Sequence, residues 1–187
     1  TSTLMRHADM AMYTAKQNKR GMSLYNPEDD TSSLSQLTLA TDLRKALEEQ
    51  QFELHYQPKI DIKTGKLLSA EALGRWKHSV RGYIPPTIFI QALEQSGQID
   101  RYTYWAIETA LRQANQWRQQ GQLIKFAVNI STMTLMNPLF LHKVHELVTH
   151  TNNGELLIFE ITENLFLSEY DRLADTLLAL LEGLHRF

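Results

Sequence analysis

Cysteine is absent from the 187 residues, which excludes disulfides and thiolate metal sites. That fits a reducing compartment, and the expected location is cytoplasmic, with any membrane anchor lying upstream in a longer parent protein. No apolar run approaches the roughly 18 residues that a membrane-spanning helix needs, and no secretory signal opens the chain. Neither sign of charge dominates: 19 basic residues stand against 21 acidic ones, for a net charge of −2. There is therefore no electrostatic reason to invoke a nucleic-acid duplex or an anionic membrane surface as partner. A Gly-x-Gly-x-x-Gly turn is missing, as is any Ser-His-Asp or Cys-His set for covalent catalysis. What is present is ordinary globular material, 43% apolar and 21% charged, enough for one domain or one domain plus a fragment.

Residues 3–20 read as an amphipathic helix, with Leu4, Ala8, Ala11 and Ala15 at three- to four-residue spacing and Lys16, Lys19 and Arg20 in its last turn. Gly21 stops it, and Met22 to Tyr25 suits a short strand. The polar run from Asn26 to Ser33 is rich in turn-formers and marks a boundary. Residues 1–26 form one piece, 27–38 a linker and 39–187 the main domain.

In that domain a helical pattern from Leu39 to about Gln50 precedes a strand from Phe52 to Tyr56 that ends at Gln57-Pro58. A second strand covers Leu67 to Leu73, and Lys77 to Pro86 reads as a loop. Helices follow around Phe89, Ile90 and Leu93 and over Arg101 to Gln119, where Ala106, Ala110, Ala114 and Trp117 make one apolar face. From Phe126 the pattern repeats: strand to Ser131, helix from Asn137 to His150, strand from Leu156 to Thr162, helix from Glu169 to Leu184. Asn129 and Glu160 stand about one βα repeat apart, as an eight-unit barrel of roughly 250 residues would place them. A parallel α/β barrel is the expected architecture, with a doubly wound open sheet as the alternative.

Alternate side chains of a strand share a face. Glu71 then lies with Leu67 and Ser69, opposite Ala70 and Ala72. Asn129 lies with Ala127 and Ser131, opposite the apolar Phe126, Val128 and Ile130. Glu160 lies with Ile158 and Thr162, opposite Leu157, Phe159 and Ile161. Each strand thus offers one oxygen-bearing side chain late in its length and at a common level, where barrels gather their active sites. Carboxylate and amide oxygens suit Mg²⁺, Mn²⁺ or Ca²⁺ rather than zinc or copper. Such a cation can polarise a phosphoryl oxygen or acidify a water. Three unrelated polar residues at strand ends are the competing explanation. His142, His145 and His150 read as surface residues of a helix, and His55 as a hydrogen-bonded strand histidine.

Five motifs occur in order: Gln57-Pro58; Glu71-Ala72-Leu73 with Arg75-Trp76; Pro85-Pro86 followed by Phe89-Ile90; Asn129-Ile130-Ser131; and Glu160-Ile161-Thr162-Glu163. Together they closely resemble the EAL-domain family of cyclic-di-GMP phosphodiesterases, over about residues 40–187. The resemblance implies a modified TIM barrel and Mg²⁺- or Mn²⁺-dependent opening of cyclic di-GMP to linear pGpG. It implies that Glu71, Asn129 and Glu160 are metal ligands, Glu71 being catalytic through that role. It also implies that Arg75 contacts a substrate phosphate and that Gln57 lies near the nucleotide. Glu163 would steady a loop beside the metals, and a homodimer through the EAL-like domain is one arrangement to test.

The family pattern continues with an Asp-Asp-Phe-Gly strand end, a lysine, a glutamate and a glutamine, and no Asp-Asp pair follows Glu163. The chain is therefore expected to carry a partial barrel and to be inactive by itself. Ala8-Asp9-Met10-Ala11-Met12-Tyr13, Ala15-Lys16, Asn18, Gly21 and Tyr25 resemble the closing helix and strand of a GGDEF diguanylate-cyclase domain, without its GTP-binding loop. The fold expected is an α/β, partial TIM-like barrel of the EAL type behind a helix–strand GGDEF remnant. A non-catalytic cyclic-di-GMP sensor or interaction module, and another metal-dependent phosphohydrolase on a barrel, are the alternatives.

Overall fold

The computed structural model describes residues 4–5, 7–8, 11–12, 15, 21–25, 39–151 and 153–161. The chain divides into two compact units, Thr1–Lys45 and Ala46–Phe187. In the first, the described residues between 4 and 15 are helical, Ala15 is buried, and the His7 ring stacks on Tyr25 with centroids 3.7 Å apart. Residues 22–25 form no strand, contrary to the sequence expectation. The linker at 27–38 and the helix expected at Glu169–Leu184 lie outside the described residues. Residues 39–48 are helical.

The second unit is a five-stranded sheet with helices against it. Its elements are β1 (Phe52–Ile60), β2 (Leu67–His78), β3 (Gly82–Ile84), α1 (Pro86–Gln95), α2 (Ile99–Gln119), β4 (Lys125–Ile130), the short α3 (Thr132–Leu135), α4 (Phe140–Thr151) and β5 (Leu157–Ile161). The strand order is β1-β2-β4-β5, with β3 paired to β2. β2, β4 and β5 run parallel, as the repeating pattern predicts, but β1 is antiparallel to β2. The expectation of an all-parallel sheet fails there because the link from Asp61 to Lys66 is too short for a crossover. Asp61 closes that link as a turn, its Oδ1 accepting from the Lys63 and Thr64 amides, with Gly65 at φ +66°. Those hydrogen bonds hold the Asp61 carboxyl below its usual value.

Two boundaries also move. β1 continues through Pro58, which an edge strand tolerates because no ladder N–H is required of it. β2 runs on past Leu73 to His78 and turns back into β3 inside the segment read as a loop. His78 organises that reversal: its Nδ1 accepts from the amides of Val80 and Arg81, each at 3.1 Å.

One sheet face is covered. Ala70, Ala72, Phe126, Val128 and Ile130 join Ala106, Ala110 and Ala114 of α2, and Phe140, Val144 and Val148 of α4, in a single buried cluster. The alanine stripe of α2 lets the helix approach the sheet closely. At the β1 end the rings of Phe52, Trp76, Phe89 and Tyr102 interlock, the Phe52 centroid lying 5.5 Å from Trp76 and 5.2 Å from Tyr102. Before β5, the buried Asn153 accepts from Arg118 Nη1 at 2.5 Å and donates to Asn115 Oδ1, tying the strand's start to α2. No helix among the described residues is long and apolar enough to cross a membrane.

Candidate active site

The uncovered face carries the polar side chains, and register decides which of them meet. Gln57 stands opposite Glu71 and Lys59 opposite Ser69 across the β1–β2 pair. Asn129 is the direct partner of Glu160, whereas Glu71 pairs with Ala127, two residues earlier along β4. Glu71 is thus one pleat below the other two candidate ligands rather than level with them. It also lies mid-way along β2, although near the end of the stretch that pairs with β4. Side-chain length closes the offset: Asn129 Nδ2 donates to Glu71 Oε1 at 2.9 Å.

Lys59 completes the cluster. Its ammonium hydrogen-bonds Glu160 Oε1 and stands 3.7 Å from Glu71 Oε2. The three side chains are part-shielded, at 40% exposure for Lys59, 23% for Glu71 and 33% for Glu160. The hydrogen bond to Glu160 holds the Lys59 ammonium above the usual lysine value, against a smaller opposing effect of desolvation.

The donor set is two carboxylates and one amide, with neither sulfur nor imidazole, and those hard oxygens fit Mg²⁺ or Mn²⁺. Among the described residues no three His, Cys, Asp or Glu side chains form a metal-holding group, so the amide of Asn129 is the third donor that this segment offers.

Arg75 lies farther along β2 on the same face as Glu71, and its Nη1 donates to the Gly74 carbonyl at 2.9 Å. It borders a pocket of about 320 Å³ between the ends of β2 and β4 and helices α1 and α2, which Asn129, Pro86, Phe89 and Tyr102 also line. Pro86 opens α1 as its first residue, where the missing N–H costs nothing. Tyr102 reaches this pocket because residue 74 is glycine: a Cβ there would lie 1.7 Å from the Tyr102 hydroxyl. Burial pushes that hydroxyl's pKa well above the usual tyrosine value. At the rim, Ser131 donates to Glu94 Oε1 at 2.7 Å and also caps α3 by accepting from the Met133 amide.

The structure therefore brings Glu71, Asn129 and Glu160 together, sets Gln57 beside Glu71 and leaves Arg75 at the pocket. Glu163 lies outside the described residues. The helix histidines 142, 145 and 150 are exposed, and His55 bonds Glu53 at 3.0 Å, as read from the pattern. Lys59 and the Gly74–Tyr102 pair were missed. Lys59 was within reach of the alternation argument, since it shares a strand face with Gln57. The Gly74–Tyr102 approach had no sequence signal, because it joins a strand to a helix.

The family model described as the EAL domain matches residues 40–187. The chain belongs to the EAL-domain family. The cyclic di-GMP phosphodiesterase PdeR of Escherichia coli is 40% identical over 93% of this chain. MucR of Pseudomonas aeruginosa, a bifunctional diguanylate cyclase/cyclic di-GMP phosphodiesterase, is 35% identical over 97%. The chain spans about a quarter of each of these relatives, 26% in both cases. In solved structures, the MucR phosphodiesterase in complex with cyclic di-GMP superposes with a TM-score of 0.74 at 32% identity, covering 78% of this chain and 60% of that one. The EAL enzyme Bd1971, bound to cAMP and cyclic di-GMP, superposes at 0.71 with 25% identity, covering 81% and 43%.

Proposed function

We propose that this chain supplies part of the catalytic site of a cyclic-di-GMP phosphodiesterase, which adds water across one phosphodiester to release linear pGpG. The observation that carries this is the meeting of Glu71, Asn129 and Glu160, from three separate strands, in a chain of the EAL family. Those three would hold a Mg²⁺ or Mn²⁺ ion, which when bound supplies Lewis acidity for the hydrolysis. Arg75 offers a guanidinium suited to paired hydrogen bonds with a phosphodiester. Gln57, next to Glu71, faces the nucleotide, and the apolar pocket beyond Arg75 shields it from water. Glu163 is assigned the loop-steadying role by family position alone.

The relation to a bifunctional cyclase/phosphodiesterase supports reading residues 1–26 as the tail of a GGDEF-like domain, 27–38 as a linker and 39–187 as EAL-like. A Gly-Gly-Asp/Glu-Glu-Phe motif encoded upstream of Thr1 would bear this out, and its absence there would refute it.

The activity is tested by measuring cyclic-di-GMP binding and pGpG release with Mg²⁺ and with Mn²⁺. Ion-dependent binding or turnover that disappears in Glu71→Ala supports the assignment. Binding and turnover unchanged in both Glu71→Ala and Glu160→Gln would sink it.

A further inference from the structure

Within the site face, one group has the wrong charge for a metal ligand and yet touches the ligands. Lys59 sits on β1, the antiparallel strand, twelve positions before Glu71 and about a hundred before Glu160 in the chain. Its ammonium bonds one carboxylate and stands 3.7 Å from the other. Contact with carboxylates from two different strands distinguishes it from the exposed pairs elsewhere, such as Arg112–Glu108 and Lys143–Glu146, which bind neighbours on their own helix.

Register shows the side from which it arrives. Lys59 is level with Ser69, one pleat toward the start of β2 from Glu71, while Arg75 lies beyond Glu71 toward the strand's end. The lysine therefore approaches the carboxylates from beneath, and the pocket lies on the other side of them. It is placed as a partner of the acidic groups and not as a second phosphate clamp.

Glu71 and Glu160 stand on β2 and β5, with β4 between them, yet both carboxylates reach the one Lys59 ammonium, and two carboxylates that close repel each other when no cation lies between them. The Asn129 amide answers one oxygen of Glu71 and leaves that charge in place. We infer that Lys59 is a built-in counter-cation of this site: it holds Glu71 and Glu160 together when no divalent ion is bound, and a divalent ion must compete with it for the same carboxylates. This rests on the assignment of Glu71 and Glu160 as metal ligands. Lys59 is a positioning residue, acting on substrate only through the carboxylates it holds.

The consequence is a trade between standing stability and ion affinity. With Lys59 in place, one of the two negative charges of the ion-free site is already balanced and ion binding gains less. With a neutral side chain there, the ion-free site is frustrated and the ion relieves it.

The test is Mn²⁺ binding by isothermal titration calorimetry, with no nucleotide present, on the 187-residue chain and on Lys59→Met, Lys59→Gln, Lys59→Arg and Glu160→Gln. Lys59→Met and Lys59→Gln are expected to bind Mn²⁺ about tenfold more tightly, the modest effect of one partly screened charge near a dication. Lys59→Arg should stay near wild type. The thermal midpoint of Lys59→Met should fall without ion and return toward wild type at saturating Mn²⁺. Unchanged or weaker Mn²⁺ binding in Lys59→Gln overturns the inference, whether or not Lys59→Met folds. If Glu160→Gln loses the ion while the lysine variants do not tighten it, the ligand assignment stands and this inference alone fails. If Glu160→Gln binds as wild type does, or the wild-type chain itself binds no Mn²⁺, both fall.

Discussion

On one face of the β2–β4–β5 sheet, Ala70, Ala72, Phe126, Val128 and Ile130 are each under 6% exposed and lie against α2 and α4. On the other face the same strands present Glu71, Asn129 and Glu160, to which β1 adds Gln57 and Lys59. The first face is held by area removed from water and by close packing, which need no particular partner and no ion. The second gains little from burial and depends on charge balance: an amide on one carboxylate and an ammonium shared by two. Because one backbone serves both, the covered face fixes the height and tilt of the strands on which the polar face relies. Stability and chemistry are thus separable by side-chain direction within a single strand.

The strongest way to break that separation is a matched pair of substitutions. Phe126→Ala, which removes a ring stacked on Trp117 and met edge-on by Tyr56, is expected to cost about 3–5 kcal/mol in urea denaturation. Glu160→Gln should cost less than about 1 kcal/mol, as exposed ion pairs do, while abolishing Mn²⁺ binding. Equal destabilisation by the two would erase the distinction.

A smaller effect is expected where the two faces meet at the end of β2. Gly74→Ala drives a methyl into the Tyr102 hydroxyl, and repacking should cost about 1–3 kcal/mol. Gly74→Ala/Tyr102→Phe should recover much of that loss in the same denaturation assay, because the clashing oxygen is gone.

The faces should also differ in pH response. Tyr56, on the covered side of β1, has its pKa raised by burial from 10.0 to about 12. The raised value favours the neutral phenol in the folded state, so its contribution is fully present below pH 10 and is lost as pH rises through about 12. Tyr56→Phe should flatten the alkaline limb of a Tm–pH curve.

Glu53, on the uncovered side, has its pKa lowered by the hydrogen bond from Tyr83 and then by His55. Its contribution is present above the ordinary value of 4.5 and fades as pH falls below it. This exposed group should produce the smallest change of the four, a shallower acid limb in Glu53→Gln measured the same way.

The sequence made much of this visible. Alternation in the Asn129 and Glu160 strands separated the buried side chains from the polar ones, and the alanine spacing of α2 marked its packing face. His55 was legible as a hydrogen-bonded strand histidine because its partner Glu53 lies two residues away on the same strand face. Pairing direction and level were less legible. The step between Glu71 and Asn129 depends on how β2 registers against β4, to which nothing in either strand's own letters is confined. Lys59 was not singled out, since the strand was read as ending at Gln57-Pro58. In fact the edge position spared Pro58 its hydrogen bond and carried the strand on to Lys59 and Ile60.

What the sequence by itself determined is the inventory: strand faces, helix faces, an ordered set of motifs and the hard-oxygen donors among them. These follow from short-range periodicity, which each segment carries alone. Only the tertiary structure decided that Glu71 sits one pleat below Asn129, that Gly74 makes room for the Tyr102 hydroxyl, and that a lysine from the antiparallel strand lies against two of the candidate ligands. Each of those depends on distances between segments remote in the chain, set by sheet register and helix packing rather than by any local pattern.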